Sequence, residues 1–155
     1  MEKPSGKNLF GAPVIALDLG EKRVGVAVSD ALAISIRRLD ALPRTSWKQL
    51  LRNVDNLVSS FDAQTVVIGL PLQLNGSSGD AARAAQRAAK KFAQSLKVPV
   101  YLQDERLTSR EAEQDLRAAG HNRAQVSSLV DSEAAAVILR DFLVDRQERT
   151  PVPRS

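Results

Sequence analysis

The sequence contains no cysteine, one histidine and few aromatic residues, and each shortage argues against a class of function. Without cysteine the chain has no disulfide framework, no thiolate metal site and no cysteine nucleophile. The single histidine, His121, argues against a zinc centre and against a serine–histidine nucleophile. Aromatic residues make up 4% of the chain, with one Trp and one Tyr, so recognition by stacking bases on aromatic side chains is not expected.

Long apolar runs are absent as well. No stretch approaches the roughly 18–20 residues that a membrane-spanning helix requires, and residues 1–12 lack the apolar core of a secretory signal. We therefore expect a soluble protein of the reducing cytoplasm, with no membrane partner.

The positive charge of the chain lies mostly outside its centre. The net charge is +4 and the isoelectric point about 9.8, but the tails at residues 1–12 and 146–155 carry most of the excess. Both tails are polar and aperiodic, and we predict that they are disordered. Residues 13–145 are then one domain of ordinary size, nearly neutral overall, on which any basic surface must be a local patch.

Within this domain the hydrophobic pattern alternates between strands and helices. Strands are predicted at residues 14–19, 23–29, 34–42, 65–70 and 100–103. Helices are predicted at about 46–60, 80–96, 108–120 and 125–144, with capping boxes at Ser46–Gln49 and Thr108–Glu111. Three meandering strands followed by strands separated by helices predict an α/β fold, in which helices cover both faces of a mixed five-stranded sheet.

Asp18 is an acid in an unfavourable place. It ends the apolar strand in VIALDL, on the same face as Val14 and Ala16. A strand covered by helices on both faces would partly desolvate this carboxylate, which is costly without a cation or hydrogen-bond donors. Asp18 is therefore either a cation ligand or an acceptor for backbone N–H groups at the end of its strand.

Asp131 is also a charged residue at an apolar position, on the last predicted helix. At 100° per residue it lies on the midline of the apolar stripe formed by Ala135, Ile138 and Phe142, while Glu133 projects to the other side. The helix dipole favours an acid in the first turns of a helix, but it does not explain an acid centred on the apolar face. This position favours a functional role.

Two further acids, Asp104 and Glu105, follow the strand at residues 100–103. They lie in a loop at the carboxyl end of a strand, the edge at which open α/β sheets place their sites. The pattern does not distinguish between the two. A few carboxylates without thiols or histidines form the kind of site that Mg²⁺ prefers, with water and substrate phosphate completing its coordination.

Four segments of the chain resemble the YqgF family in order and spacing: ALDLGEKRVGVAVSD, VVIGLPLQLNGSSG, DERLTSREAE and LVDSEAAAVIL. Members of that family are described as pre-16S rRNA nucleases and as Holliday-junction-resolvase-like proteins. The resemblance covers nearly all of residues 14–144. It implies a ribonuclease H-like fold, a three-layer α/β/α arrangement whose first three strands are antiparallel.

The resemblance also implies an acidic triad, which falls here on Asp18, Glu105 and Asp131. These residues would be catalytic and would hold one or two Mg²⁺ or Mn²⁺ ions, which activate a water and stabilise the leaving 3′ oxygen. Two positions depart from the family. Only Arg123 stands among the residues shortly before Asp131, where relatives carry several Lys or Arg, and NG replaces the common DG at residues 75–76.

The expected activity is hydrolysis of phosphodiester bonds in structured nucleic acid, either a pre-16S rRNA on the ribosomal assembly pathway or a branched DNA junction. Candidate phosphate-binding residues lie beside the acids and along the predicted helix at residues 80–96. They are Lys22, Arg23, Arg83, Arg87, Lys90, Lys91 and Arg106. Binding through phosphates should weaken steeply with salt.

Two other classes of function were weighed. ATP-dependent phosphotransferases and chaperone-like ATPases also open with an Asp-x-Gly hairpin, but they close two such domains around ATP, and this chain has length for one. A non-catalytic RNA-binding assembly factor is the other alternative, and the presence of all three acids argues against it. The sequence leaves both a monomer and a homodimer open.

Overall fold

In the computed structural model a mixed β-sheet is covered by helices on both faces. The structure describes residues 10–72, 79–105, 123–145 and 150–154, and the side chains of the last helix from residue 132 onward. Five strands form the sheet: β1 (Val14–Leu19), β2 (Arg23–Ser29), β3 (Ile36–Pro43), β4 (Thr65–Leu70) and β5 (Val100–Asp104). Three helices are described: α1 (Trp47–Ser60), α2 (Asp80–Ser95) and α3 (Arg123–Val144).

The strand order across the sheet is β3-β2-β1-β4-β5. The β1–β2 and β2–β3 pairs are antiparallel, whereas β1–β4 and β4–β5 are parallel. This is the predicted ribonuclease H-like arrangement, because the meander comes first and helices then return the chain to make parallel pairs. The predicted helix at residues 108–120 lies outside the described residues.

Alternation along β1 divides the core into two layers. Ile15 and Leu17 are fully buried in the layer that contains α1 and α2, whereas Val14 and Ala16 are fully buried in the layer that contains α3. Asp18 continues the second series by the two-residue period of a strand, so its position belongs to the α3 face of the sheet.

Local features of the sequence explain where α1 begins and how closely α2 packs on the sheet. The hydroxyl of Ser46 accepts a hydrogen bond from the Gln49 backbone N–H, 3.1 Å away, and caps α1. The Gln49 side chain donates to Asn53 instead of turning back to the cap, so only half of the predicted capping box forms. In α2 the buried face is mostly alanine, which allows the helix backbone to lie close to the sheet.

The end of the chain differs from its prediction as a disordered tail. The Val152 backbone N–H donates to the Val100 carbonyl oxygen over 2.7 Å, and the Val152 side chain packs against the main core. The polar composition of this segment predicted disorder for Val152 as well. The residue is nevertheless ordered, because the edge strand β5 offers backbone carbonyl groups with which it can pair.

No helix among the described residues is long and apolar enough to cross a membrane.

Candidate active site

Asp18 and Glu105 meet at the carboxyl edge of the parallel strands. Asp18 is the fifth residue of β1 and pairs in register with Gly25 of β2. Glu105 follows β5 directly, and its backbone N–H donates to the Leu70 carbonyl oxygen at the end of β4, 2.9 Å away. Both chain segments reach the same edge because β1, β4 and β5 run parallel.

The two neighbouring acids at the end of β5 have opposite surroundings. The side chain of Asp104 is exposed, whereas Glu105 is only 7% exposed. The sequence pattern alone left these two acids equivalent. Burial separates them, because a residue that follows a strand turns either toward solvent or back over the sheet.

The carboxyl group of Glu105 is held in a site that is unfavourable for its charge. Burial, the charge of Asp18 and a hydrogen bond with the Asp18 side chain together raise the pKa of Glu105 to about 9. Its Oε2 atom is buried and has no hydrogen-bond partner among the described residues. An isolated buried acceptor of this kind is rare in folded proteins and calls for an explanation.

Room for this carboxyl group depends on Gly69 in β4. A Cβ atom at position 69 would overlap Glu105 Oε2 and would lie 2.6 Å from Ile138 Cδ1 of α3. The absence of a side chain at position 69 therefore leaves a space between β4 and α3, here called the cradle, which the carboxyl group of Glu105 fills. Gly69 does not stand out in the sequence, since a glycine inside a strand has several ordinary explanations.

The third predicted acid, Asp131, lies within α3, and its side chain is outside the described part of the structure. The next residue, Ser132, is buried, and its hydroxyl donates to the Leu39 carbonyl oxygen of β3 over 2.5 Å. Ile138, six residues beyond Ser132 on α3, contacts the cradle at Gly69. These two contacts anchor α3 across the sheet. Among the described side chains no group of three or more His, Cys, Asp or Glu is placed to hold a metal ion.

Ser29 and Asp30, at the end of β2, have structural roles. The Ser29 hydroxyl accepts from the Val14 backbone N–H, and Asp30 Oδ1 accepts from the N–H groups of Ile34 and Ser35. The Ile34 bond is the main reason why the pKa of Asp30 lies below its ordinary value. Both residues shape the turn between β2 and β3.

The candidate phosphate-binding residues form two groups. Lys22 and Arg23 are exposed at the β1–β2 turn. On α2 the four predicted cations are also exposed, and one of them, Arg83, forms an ion pair with Asp80. Arg106 lies outside the described residues.

Two neighbouring cavities lie on the side of α2, and one of them is lined by Asp18. One, of about 420 Å³, is lined by residues that include Asp18, Gly20, Arg44 and Gly69. The other, of about 410 Å³, is lined by residues that include Arg44, Trp47, Arg87 and Lys91. Arg44 belongs to both. Arg44 was not predicted from the sequence, because only the tertiary structure brings the end of β3 next to the β1–β2 turn. There the Arg44 side chain donates to the Gly20 carbonyl oxygen.

Known proteins resemble this chain over most of its length. Residues 12–145 match the model of the RuvX family, described as Holliday junction resolvase. A relative from Chloroflexus aggregans, named "Putative pre-16S rRNA nuclease", is 39% identical over 134 residues, which cover 86% of this chain and 94% of the relative. A relative of the same name from Syntrophus aciditrophicus is 36% identical over 139 residues, covering 89% and 93% of the two chains.

Solved structures show the same fold at lower identity. RuvC from T. thermophilus, in complex with a Holliday junction substrate, aligns with a TM-score of 0.53 at 19% identity, covering 89% of this chain and 98% of RuvC. The resolvase of Fowlpox virus, also with junction DNA, aligns with a TM-score of 0.50 at 11% identity, covering 86% of this chain and all of that one. The fold is thus ribonuclease H-like, and the chain is a nuclease that belongs to the RuvX family, also called YqgF.

Proposed function

We propose that this nuclease is a divalent-metal-dependent endonuclease that processes the 5′ end of pre-16S rRNA. The observation that carries the proposal is the pairing of half-buried Asp18 with buried Glu105 at the carboxyl edge of the sheet. Two carboxyl groups held close together destabilise each other's charged forms. Folded proteins retain such a pair where it has a functional use.

The residues present fit a hard divalent cation. Asp18 and Glu105 offer oxygen donors, the Glu105 Oε2 atom lacks a partner among the described residues, and no cysteine exists to favour a softer metal. Asp131, the third acid of the sequence pattern, would complete the set. Bound there, Mg²⁺ or Mn²⁺ would stabilise charge on the phosphoryl oxygens and lower the pKa of an attacking water.

The chain's own residues divide the remaining work. Glu105, buried over Gly69, is a fixed donor, whereas Asp18 is half-buried and also lines the adjoining cavity, so it would remain accessible to substrate. Without a cation, Glu105 keeps its proton and its hydrogen bond to Asp18 at neutral pH. The exposed cations at the β1–β2 turn, Lys22 and Arg23, would bind substrate phosphate beside the acids.

The choice of rRNA as substrate is supported by the relatives. Those that bear the rRNA nuclease name match this chain at 36–39% identity over nearly its whole domain. A second candidate function is resolution of DNA junctions, which is favoured by the description of the RuvX family model. Symmetric cleavage of a junction would require two active sites related by a two-fold axis.

The decisive experiment offers the purified protein a pre-16S rRNA 5′ leader and a four-way DNA junction, with Mg²⁺ or Mn²⁺ and with EDTA. We expect cleavage of the RNA that depends on the metal and leaves 5′-phosphate and 3′-hydroxyl ends. Asp18→Asn, Glu105→Gln and Asp131→Asn should each reduce the rate by about a hundredfold to a thousandfold, because removing one electrostatic contact to the transition state has effects of that order. Asp104→Asn, which changes the exposed neighbour of Glu105, should leave the rate nearly unchanged.

The outcomes separate the candidate functions. Cleavage of the junction alone would replace rRNA processing with junction resolution. Binding of RNA without cleavage under any metal condition would instead indicate a non-catalytic assembly factor. Undiminished cleavage by the Asp18 and Glu105 variants would contradict the proposed site.

A further inference from the structure

A basic groove begins beside the acids and runs along α2. Its residues line the two adjoining cavities, which share Glu21, Arg44 and Ala84 and are therefore continuous. At one end the groove is lined by two acids, Asp18 and Asp80, of which Asp80 is paired with Arg83. Farther along, its walls carry three cations, Arg44, Arg87 and Lys91, and one acid, Glu21.

The cations of this groove are available to a ligand. All three side chains are exposed. Within the described part of the chain, Arg87 and Lys91 are not engaged in an ion pair, whereas Arg83 on the same helix is paired with Asp80. Lys91 and Arg87 are four residues apart, so they follow one another by one helical turn, about 6 Å along α2.

Neighbouring groups hold two of these cations in place. The Arg44 guanidinium donates to the Gly20 carbonyl oxygen over 2.8 Å, which places its charge at the turn that follows Asp18. The Lys91 ammonium lies over the Trp47 ring, 5.3 Å from its centroid. Trp47 is itself packed against Phe92 at 4.7 Å between ring centroids, so the floor of the groove is fixed by the core. The side chains are thus partly ordered before a ligand binds, which lowers the entropic cost of binding.

The electrostatics point to one kind of occupant. A phosphodiester beside these acids is repelled by the carboxylate of Asp18, so a substrate strand needs positive charge nearby to remain bound. We propose that this groove holds the phosphates that flank the scissile one, with Arg44 nearest the cut and Arg87 and Lys91 on the adjoining nucleotides. This inference deepens the proposed function: it assigns the path of the strand and adds Arg44 to the binding residues.

The test measures binding apart from cleavage. Fluorescently labelled pre-16S 5′ leader RNA and a labelled four-way DNA junction serve as probes, in EDTA, by anisotropy across a salt series. Arg87→Gln/Lys91→Gln is compared with Lys48→Gln/Arg52→Gln, which also removes one Arg and one Lys, four residues apart, from exposed positions on α1. Neither Lys48 nor Arg52 lines either cavity.

We expect the α2 double variant to bind the preferred probe about 10- to 100-fold more weakly at moderate salt. The slope of log binding constant against log salt concentration should be smaller in magnitude by about 2, because each lost phosphate contact removes close to 1 from that slope. Arg44→Gln should lower the slope by about 1. Unfolding temperatures should stay near that of the wild type, since all these side chains are exposed.

Equal loss in the α1 control would show a general charge effect and overturn the proposal. So would failure of the wild type to bind either probe, or an unchanged slope in the α2 variant. If the wild type binds through this groove but cleaves nothing when Mg²⁺ or Mn²⁺ is added, the groove stands and the proposed nuclease mechanism fails.

Discussion

The carboxyl group of Glu105 packs against Gly69 and occupies the volume that any side chain at position 69 would need. The contact joins the middle strand of the parallel set to the loop after β5. Because position 69 has no side chain, the Glu105 carboxyl group can be buried between the sheet and α3. The proposed metal site thus depends on an absent side chain as well as on acids.

Gly69→Ala should therefore weaken binding of Mn²⁺ without unfolding the protein. The new methyl group would displace Glu105 from its cradle and press on Ile138 of α3. We expect the dissociation constant for Mn²⁺, measured by titration calorimetry, to rise by at least about tenfold, the range seen when groups that orient metal ligands are changed.

Two comparisons distinguish this effect from general destabilisation. Gly11→Ala places a Cβ atom 2.9 Å from the Cβ of exposed Gln64, away from the acids, and should leave Mn²⁺ affinity unchanged. Adding Glu105→Asp to Gly69→Ala shortens the acid by one methylene and should recover part of the affinity. Additive losses in the double variant would mean that Gly69 does not act through Glu105.

The stability of the metal-free protein should fall as the pH rises. The pKa of Glu105 is raised from 4.5 to about 9 by burial and by Asp18, so the folded state binds the proton more tightly than the unfolded state. The stabilisation is complete below the unfolded pKa of about 4.5 and is lost progressively up to about pH 9. Urea denaturation in EDTA at several pH values measures this decline.

Glu105→Gln provides the control for this pH dependence, since an amide cannot ionise. Its free energy of unfolding should change much less over the same pH window. In Asp18→Asn the loss of stability should end at a lower pH, because removing the neighbouring charge lowers the pKa of Glu105. A wild-type protein whose stability rises between pH 5 and pH 9 would contradict the assignment.

The last residues of the chain should contribute measurably to stability. Removing residues 150–155 deletes the bond from the Val152 N–H to the Val100 carbonyl and uncovers part of the core. We expect the free energy of unfolding to fall by about 1–2 kcal/mol, the sum of one hydrogen bond and one partly buried apolar side chain. Arg154→Gln, at an exposed position of the same segment, should have no effect.

Ser46→Ala should destabilise α1 by about 1 kcal/mol, because the Gln49 backbone N–H loses its acceptor. The neighbouring exposed Thr45 offers a matched control, since Thr45→Ala leaves the cap intact. Thermal unfolding measures both. Mn²⁺ affinity should be the same in the two variants, because the cap lies away from Glu105 and affects only the helix.

The order of the strands was predictable because it depends on local signals. The β1–β2 hairpin follows from two apolar runs joined at residues 20–22, and the parallel strands follow from the helices between them. Element boundaries differ from their predictions by a few residues: β3 begins at Ile36 and ends at Pro43, where residues 34–42 were expected. The predicted strand and helix types are confirmed for all the described elements.

The acids were found by the same local reasoning, but their relation was not. Periodicity marked Asp18 and Asp131 as misplaced charges, and the family resemblance chose Glu105 over Asp104. The proximity of Asp18 to Glu105 required the parallel pairing of β1, β4 and β5. The catalytic role of the three acids, and of the basic residues proposed with them, stays a prediction.

By itself the sequence determined the mixed sheet and its helices, since hydrophobic period and capping residues act over a few positions. It also determined that any metal site must use oxygen ligands, because the chain has no cysteine and one histidine. Only the tertiary structure decided that Gly69 makes room for Glu105 and that Arg44 lies beside the β1–β2 turn, where it lines both cavities. Both are contacts between segments more than twenty residues apart, and such contacts are set by the packing of strands and helices, which no local pattern encodes.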